Sequence, residues 1–409
     1  MPVVGAEHRP EVALLLAIAR VELTEGEKAQ LKNLLAGAID WPYLLDLAGM
    51  HGLEPLLLLH LEQNAAAMVP PDEMQSLRES CRRIAMRNLI LATRLGAISA
   101  HFRRRGIEHI SFKGPLLAEV YYGNGALRSS SDLDILVPEA KVAAARDALD
   151  EIGFSDQFGL NKAQQALVFR FNHEHGFTSA DGVVVDLQWG LAPKLIAGRV
   201  DMAGIWRRVR MARLVDCEVP TFGPEDLLFG LLLHAGNDNH AWAQFSQFCD
   251  MVQVLKAHPQ MDWDIVESHL GDAYTRRSVY VSLYILQKYW QARIPAELLT
   301  RIASDPWVAR LADCSEREWW PMPALVETKS ALRWLLNRSR GEAAGDRARL
   351  LFGNIFTPTR NDFKAFNLPG ILKPLYPALR VLRFVGECAG RHLRDRRNGQ
   401  AGGASEGLL

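Results

Sequence analysis

Phe112-Lys113-Gly114-Pro115 and, further on, Arg128-Ser129-Ser130-Ser131-Asp132-Leu133-Asp134-Ile135-Leu136-Val137 form the stretch that decides the fold. On a strand, residues i and i+2 project from one face. Asp132 and Asp134 therefore stand side by side, and Ile135-Leu136-Val137 carries the strand on toward a core. Paired carboxylates at a strand start make a seat for two divalent cations. Two metals a few ångström apart are what in-line phosphoryl or nucleotidyl transfer uses to stabilise the entering and the leaving oxygen.

The neighbours of the pair point the same way. Gly114 stands between a strand and a helix, where backbone N–H groups can face a phosphate. Lys113 and Arg128 add two cations suited to a triphosphate. A third carboxylate is expected at Asp186, in Val183-Val184-Val185-Asp186-Leu187-Gln188-Trp189. It interrupts an apolar strand where an unpaired aspartate would be costly to bury. Beside the pair it would gain metal compensation and could take the proton of an attacking hydroxyl. Read singly, Asp132 would end a loop, Asp134 would cap an element and Asp186 would make a local ion pair; the surrounding residues favour the joint reading.

With 409 residues, two or three domains are expected. The chain is 48% hydrophobic and 23% charged, an ordinary globular balance. Lys plus Arg and Asp plus Glu are equal at 47 each, which lends no support to a binder of long nucleic acid. A local basic groove would still escape this count. Cys81, Cys217, Cys249, Cys314 and Cys388 lie far apart without a CxxC pair, as reduced thiols of a cytoplasmic protein. The apolar run 12–19 is too short to span a bilayer, and Glu7 and Glu11 are wrong for a signal peptide. No transmembrane segment is expected.

By period and end signals, residues 1–105 form a helical region. Asp40 caps a helix with Pro42 in its first turn, and 76–105 is a long helix ended by Gly106. The pattern then changes over 106–204. Strands are expected at 107–112 and 133–137, with helices at 115–122 and 139–152. An antiparallel pair, 169–178 and 183–189, is joined by the turn Ser179-Ala180-Asp181-Gly182. Residues 205–345 read as a helical domain closing a cleft, 346–390 as a helical extension and 391–409 as a disordered tail.

Strand, glycine turn, short helix and a strand carrying Asp-x-Asp resembles the core of the nucleotidyltransferase superfamily that includes DNA polymerase beta. It is most similar to a bacterial family of uncharacterised nucleotidyltransferases with Lys-Gly in place of the usual Gly-Ser. The resemblance includes Lys113-Gly114, Tyr121-Tyr122, Arg128, Asp132-Leu133-Asp134, Gly153-Phe154 and Asp186-Leu187-Gln188-Trp189. It continues more loosely through Pro224-Glu225-Asp226, His234, Phe248-Cys249-Asp250 and Asp262-Trp263. It implies an α+β fold, a small mixed-sheet module between helical N-terminal and C-terminal regions. It implies metal ligation (Mg2+ or Mn2+) by Asp132, Asp134 and Asp186, and triphosphate contacts from Lys113, Gly114 and Arg128. The donor would be a nucleoside triphosphate, expected to be ATP, and the acceptor a small molecule, sugar or protein. Two departures stand out: Pro115 offers neither a hydroxyl nor an N–H, and Gln188 replaces a frequent His that could titrate.

Other signals are weaker. His173 and His175 are expected to share a strand face in a structural or substrate-side role rather than as metal ligands. Asp250 reads equally as a cleft residue or as a helix cap or buried hydrogen-bond partner. Tyr280, Tyr284, Tyr289, Trp290, Trp319 and Trp320 read as core. Arg391, Arg394, Arg396 and Arg397 read as a solvated tail, with peripheral membrane contact through 371–397 the lesser alternative. Two rivals to an active enzyme remain: a nucleotide-binding regulatory protein of the same fold, and a membrane-peripheral partner protein in which catalysis is secondary.

Overall fold

Residue chemistry at the ends of the first helices sets their lengths. In the computed structural model, which describes residues 9–192, 200–236, 242–316, 319, 345, 352, 356–365, 368, 372 and 375–383, five helices precede the first strand. α1 (Pro10–Ile18) opens on proline and is buried from Glu11 onward. The Glu11 carboxylate accepts from the Asp40 amide at 2.8 Å. α2 (Glu25–Leu35) starts at a capping box of Thr24 and Glu27. α3 (Trp41–His51) is capped by Asp40 and closed by Gly52 at φ +66°. α4 (Glu54–Asn64) follows, and α5 (Pro71–Arg104) runs 34 residues, five earlier at its start than the sequence suggests because Pro71 supplies the first turn.

The module behind α5 is a mixed five-stranded sheet, so the chain is α+β, as the sequence implies. Its elements are β1 (Ile110–Ser111), α6 (Gly114–Tyr122), β2 (Leu133–Leu136), α7 (Val142–Glu151), β3 (Phe154–Asp156), α8 (Lys162–Phe171), β4 (Glu174–Ser179) and β5 (Val184–Gln188). The strand order is β1-β2-β5-β4-β3. Only β2 and β5 pair in parallel; the other neighbours are antiparallel. On the back face Leu133, Ile135, Val185, Leu187 and Phe177 pack with Leu91, Leu95, Ile98 and Phe102 of α5. Strand alternation then places Asp134, Asp186 and Gln188 together on the opposite face.

Two segments differ from the expectation. Phe169 and Phe171 end a helix rather than start a strand, because Asn161 and Gln164 form a capping box that nucleates α8. From that helix Phe169 reaches Trp189 edge-on at 5.2 Å. After α9 (Met202–Arg207) an unexpected hairpin, β6 (Arg210–Leu214) and β7 (Cys217–Thr221), opens the region 205–345. Its two-residue turn puts Val215 at φ +52°. A β-branched residue there gives none of the Asn-Gly signals by which such turns are read.

The remaining helices are α10 (Pro224–Ala235), α11 (Phe245–Ala257), α12 (Trp263–Ser268), α13 (Ala273–Trp290), α14 (Ala296–Ser304) and α15 (Pro306–Glu316). They share a core with α1–α4, in which Tyr289, Trp290 and Trp319 pack as the sequence suggests. Residues 360–365 and 376–383 are helical. Much of the 346–390 extension, the tail 391–409 with its four arginines, Trp320, His240 and Cys388 lie outside the described residues. No helix among the described residues is long and apolar enough to cross a membrane.

Candidate active site

The parallel pairing of β2 with β5 sets Asp134 directly opposite Asp186, and Leu136 opposite Gln188. Asp132 lies two residues before Asp134. In the next pair Glu174 of β4 stands opposite Gln188. Strand register thus gathers Asp134, Asp186, Glu174 and Gln188, with Asp132 just ahead of β2.

Asp134 is only 9% exposed and Lys113 only 8%. Their Oδ1 and Nζ are 3.3 Å apart, and Gln188 Nε2 donates to the same oxygen at 2.8 Å. Lys113 Nζ also lies 3.0 Å from His234 Nδ1. An ammonium can only donate, so the ring nitrogen accepts. Asp132 has a raised pKa, first through burial and then through the charge of Asp134, and Lys113, Ser131 and Arg128 do not offset this.

Gly114 is dictated by geometry. It takes φ +57°, and a Cβ there would stand 3.1 Å from the Asp132 carbonyl oxygen. The α6 N-terminus is thereby brought against the strand that carries the aspartates. Pro115 fits the first turn of α6 but supplies no donor.

Arg128 is engaged elsewhere. Its Nε and Nη2 donate to Oδ1 and Oδ2 of Asp250, both at 2.8 Å, and Nη1 donates to Ser130 Oγ at 3.1 Å. Tyr122 donates its hydroxyl to Asp250 Oδ1 at 2.7 Å. Asp250 sits within α11, so of its two readings the structure joins the cleft residue and the buried hydrogen-bond partner and discards the cap.

All six expected site residues line one cleft of about 320 Å3: Asp132, Asp134, Asp186, Lys113, Gly114 and Arg128. Glu174, Gln188, His234 and Gln247 also border it. His234 carries a signal that the sequence reading left without a role, a histidine ending the solidly apolar Leu227–Leu233 run. Gln247 and Glu174 carry no comparable sign. The expected histidine pair is not a unit. His173 precedes β4, whereas His175 is buried on the back face, bonded to Asp156 and ringed by Phe158, Phe169 and Phe177.

Among the described residues no three His, Cys, Asp or Glu side chains converge enough to hold a metal unaided. The donor set nevertheless fits magnesium delivered with a nucleotide. Mg2+ is usually held by one or two carboxylates together with substrate phosphates, not by an all-protein cage. Such an ion beside Asp132 would offset the burial and the neighbouring charge that raise its pKa.

A family model described as an uncharacterised nucleotidyltransferase matches residues 37–291, more than half of the chain, and the chain belongs to that family. No curated protein matches. Among solved structures, an antigenic nucleotidyltransferase-like protein from Paracoccidioides brasiliensis is similar at 12% identity and a TM-score of 0.29. That match covers 50% of this chain and 94% of the other.

Proposed function

We propose that the protein transfers a nucleoside monophosphate from a nucleoside triphosphate, with ATP the expected donor, to a hydroxyl of a small-molecule, sugar or protein acceptor. The observation that carries this reading is the placement of Asp134 opposite Asp186, with Asp132 alongside and the Lys113-Gly114 turn in the same cleft. Within it the module is of the DNA-polymerase-beta-like kind.

Asp132, Asp134 and Asp186 would hold Mg2+ or Mn2+, which supplies charge stabilisation to the phosphates and to the attacking oxygen. Asp186 orients the acceptor hydroxyl and takes its proton as the new O–P bond forms at the α-phosphorus. The bond to the β-phosphate breaks and pyrophosphate leaves, its charge met by Lys113 and the α6 N-terminus. Arg128, tied to Asp250, holds the Ser129–Ser131 loop around the phosphates more than it binds them. The equal numbers of basic and acidic residues speak for an acceptor other than long nucleic acid. We place the reaction in the cytoplasm, where the four described cysteines, all free thiols, stay reduced.

Thermal unfolding with ATP, GTP, CTP and UTP, with and without Mg2+ or Mn2+, tests the reading. Ligand at a hundredfold over its Kd stabilises by about 2.7 kcal/mol. A metal-dependent shift of a few degrees for one nucleotide, absent in Asp132→Asn/Asp134→Asn, is expected, and pyrophosphate release should follow once an acceptor is supplied. No shift with any nucleotide would sink it. The alternative, a nucleotide-binding regulatory protein, is favoured by Pro115, which removes one phosphate donor; it predicts the shift without pyrophosphate.

A further inference from the structure

We propose that the hollow between the α1–α2 loop, α11 and the end of α13 is a second ligand site, suited to a small organic monoanion with an apolar, ring-sized body. The proposal does not depend on the nucleotidyl-transfer reading. The hollow has a volume of about 430 Å3 and, among the described residues, no lining residue in common with the cleft of the aspartates. Small-molecule pockets run from about 300 to 1,000 Å3, so there is room for a molecule of one or two rings.

The walls specify the body of the ligand. Val252, Leu255, Pro259 and Trp290 supply apolar surface. Trp290 is held in place: its Nε1 donates to the Ala19 carbonyl at 3.1 Å, and its ring stacks on Phe248 at 5.7 Å. A surface fixed in this way loses little freedom when a ligand packs on it.

Gln253 supplies polar recognition. It is only 5% exposed, yet among the described residues its amide has no hydrogen-bond partner. Neither amide atom is sealed from solvent, so the little surface that the residue keeps opens into the hollow it lines. A buried amide left unpaired is costly. A ligand group that donates or accepts would pair it, since an amide can do both.

The sign of the ligand follows from charge. Three cations and two carboxylates border the hollow. Arg20 pairs with Glu27, and Lys256 pairs with Glu22. Arg293 is exposed and has no acidic partner among the described residues. One positive charge is thus left over beside apolar walls, and a single acid group on an apolar body matches it.

The test uses the full chain and anilinonaphthalene sulfonate, a monoanionic dye with an apolar ring body that fluoresces when its rings leave water. Saturable one-site binding is expected. Displacement is then measured with three probes that share a ring and differ in charge: indole acetate, neutral indole acetamide and cationic tryptamine. The acetate should displace the dye at the lowest concentration. Arg293→Glu, at an exposed position, reverses the unpaired charge and should weaken dye and acetate about fivefold. Gln253→Leu, of similar volume, removes the amide and should weaken the acetate by about the same factor. Asp132→Asn/Asp134→Asn should bind the dye as the wild type does. Equal displacement by the three probes overturns the proposal, as does binding left unchanged by both Arg293→Glu and Gln253→Leu. Loss of dye binding in the aspartate double variant would put the dye in the other cleft and overturn it too. None of these outcomes bears on nucleotide binding, which the thermal shifts test separately.

Discussion

Arg128 and Asp250 meet in a two-point ion pair, Nε to Oδ1 and Nη2 to Oδ2 each at 2.8 Å, with the side chains only 12% and 2% exposed. The pair ties the loop before β2 to the middle of α11, so the position of the aspartates depends on the helical region. Tyr122, kept protonated by burial and then by the charge of Asp250, donates to the same carboxylate. Arg128 itself stays charged: burial works against this, and Asp250 outweighs it.

Removing one partner strands the other. Asp250→Ala leaves a buried guanidinium without its counter-charge, and losses in such cases run at about 3–5 kcal/mol. Urea unfolding should show a loss of that size, together with a weaker nucleotide-dependent shift because the Ser129–Ser131 loop is released. Arg128→Met/Asp250→Leu should recover much of the stability but not the shift. If the single and the double variant are equally unstable, packing rather than charge holds this junction.

What the sequence makes legible here is local. The spacing of two that brings Asp132 and Asp134 together lies at the start of one strand, Asp132 just ahead of β2, and Asp186 shows itself by breaking an apolar run. The start of α3 follows from the Asp40 cap and Pro42, and the end of α5 from Gly106. The contacts that organise the cleft are not local: Lys113 to His234 spans 121 residues and Arg128 to Asp250 spans 122. Nothing in the local pattern of either partner encodes such a pairing. Arg128 reads as a phosphate ligand by composition because its competing partner is invisible at that range. Local signals also mislead where two compete, as at Phe169 and Phe171, whose strand propensity yields to the Asn161 cap.

Gly114→Ala tests the turn. Alanine at φ +57° costs about 1–2 kcal/mol. Its Cβ, 3.1 Å from the Asp132 carbonyl, must also push the strand start away. Thermal unfolding should therefore report a modest loss of stability but a complete loss of the metal-dependent nucleotide shift. A variant that keeps the full shift would show that the close approach of α6 to Asp132 is dispensable.

Stability should fall as the pH drops below about 6.5. Burial lowers the pKa of His51, His60 and His109, and the carbonyls of Trp319, Arg20 and Ile107 offset this only in part. His51 accepts from the Phe245 amide on Nδ1 and donates to the Trp319 carbonyl from Nε2, so protonation would break the first bond. An unfolded histidine titrates near 6.5. Between that value and the lower folded one the unfolded chain binds more protons, so the stability these rings provide is present above 6.5 and is lost on acidification. Each proton taken up contributes a slope of at most about 1.4 kcal/mol per pH unit. Urea unfolding at intervals from pH 7.5 to 5 should show the decline, and His109→Gln should make it shallower. A flat profile over that range would mean the rings charge without cost.

Gln188 is the residue through which the proposed metal requirement can be read without turnover. Its Nε2 donates to Asp134 Oδ1 at 2.8 Å, easing a carboxylate that already stands beside Asp132 and Asp186 on one wall of the cleft. Gln188→Glu removes that donor and adds a further negative charge. A hydrogen bond to a charged group contributes about 1.5–3 kcal/mol, so the metal-free variant should be less stable by about that amount at neutral pH. Mg2+ or Mn2+ bound as proposed would relieve the repulsion introduced, so divalent ions should stabilise the variant more than the wild type, with Na+ at matched ionic strength as the control. Were Na+ to restore the variant as well as Mg2+ does, simple screening would account for the effect, and the carboxylate face would have no particular claim on divalent cations.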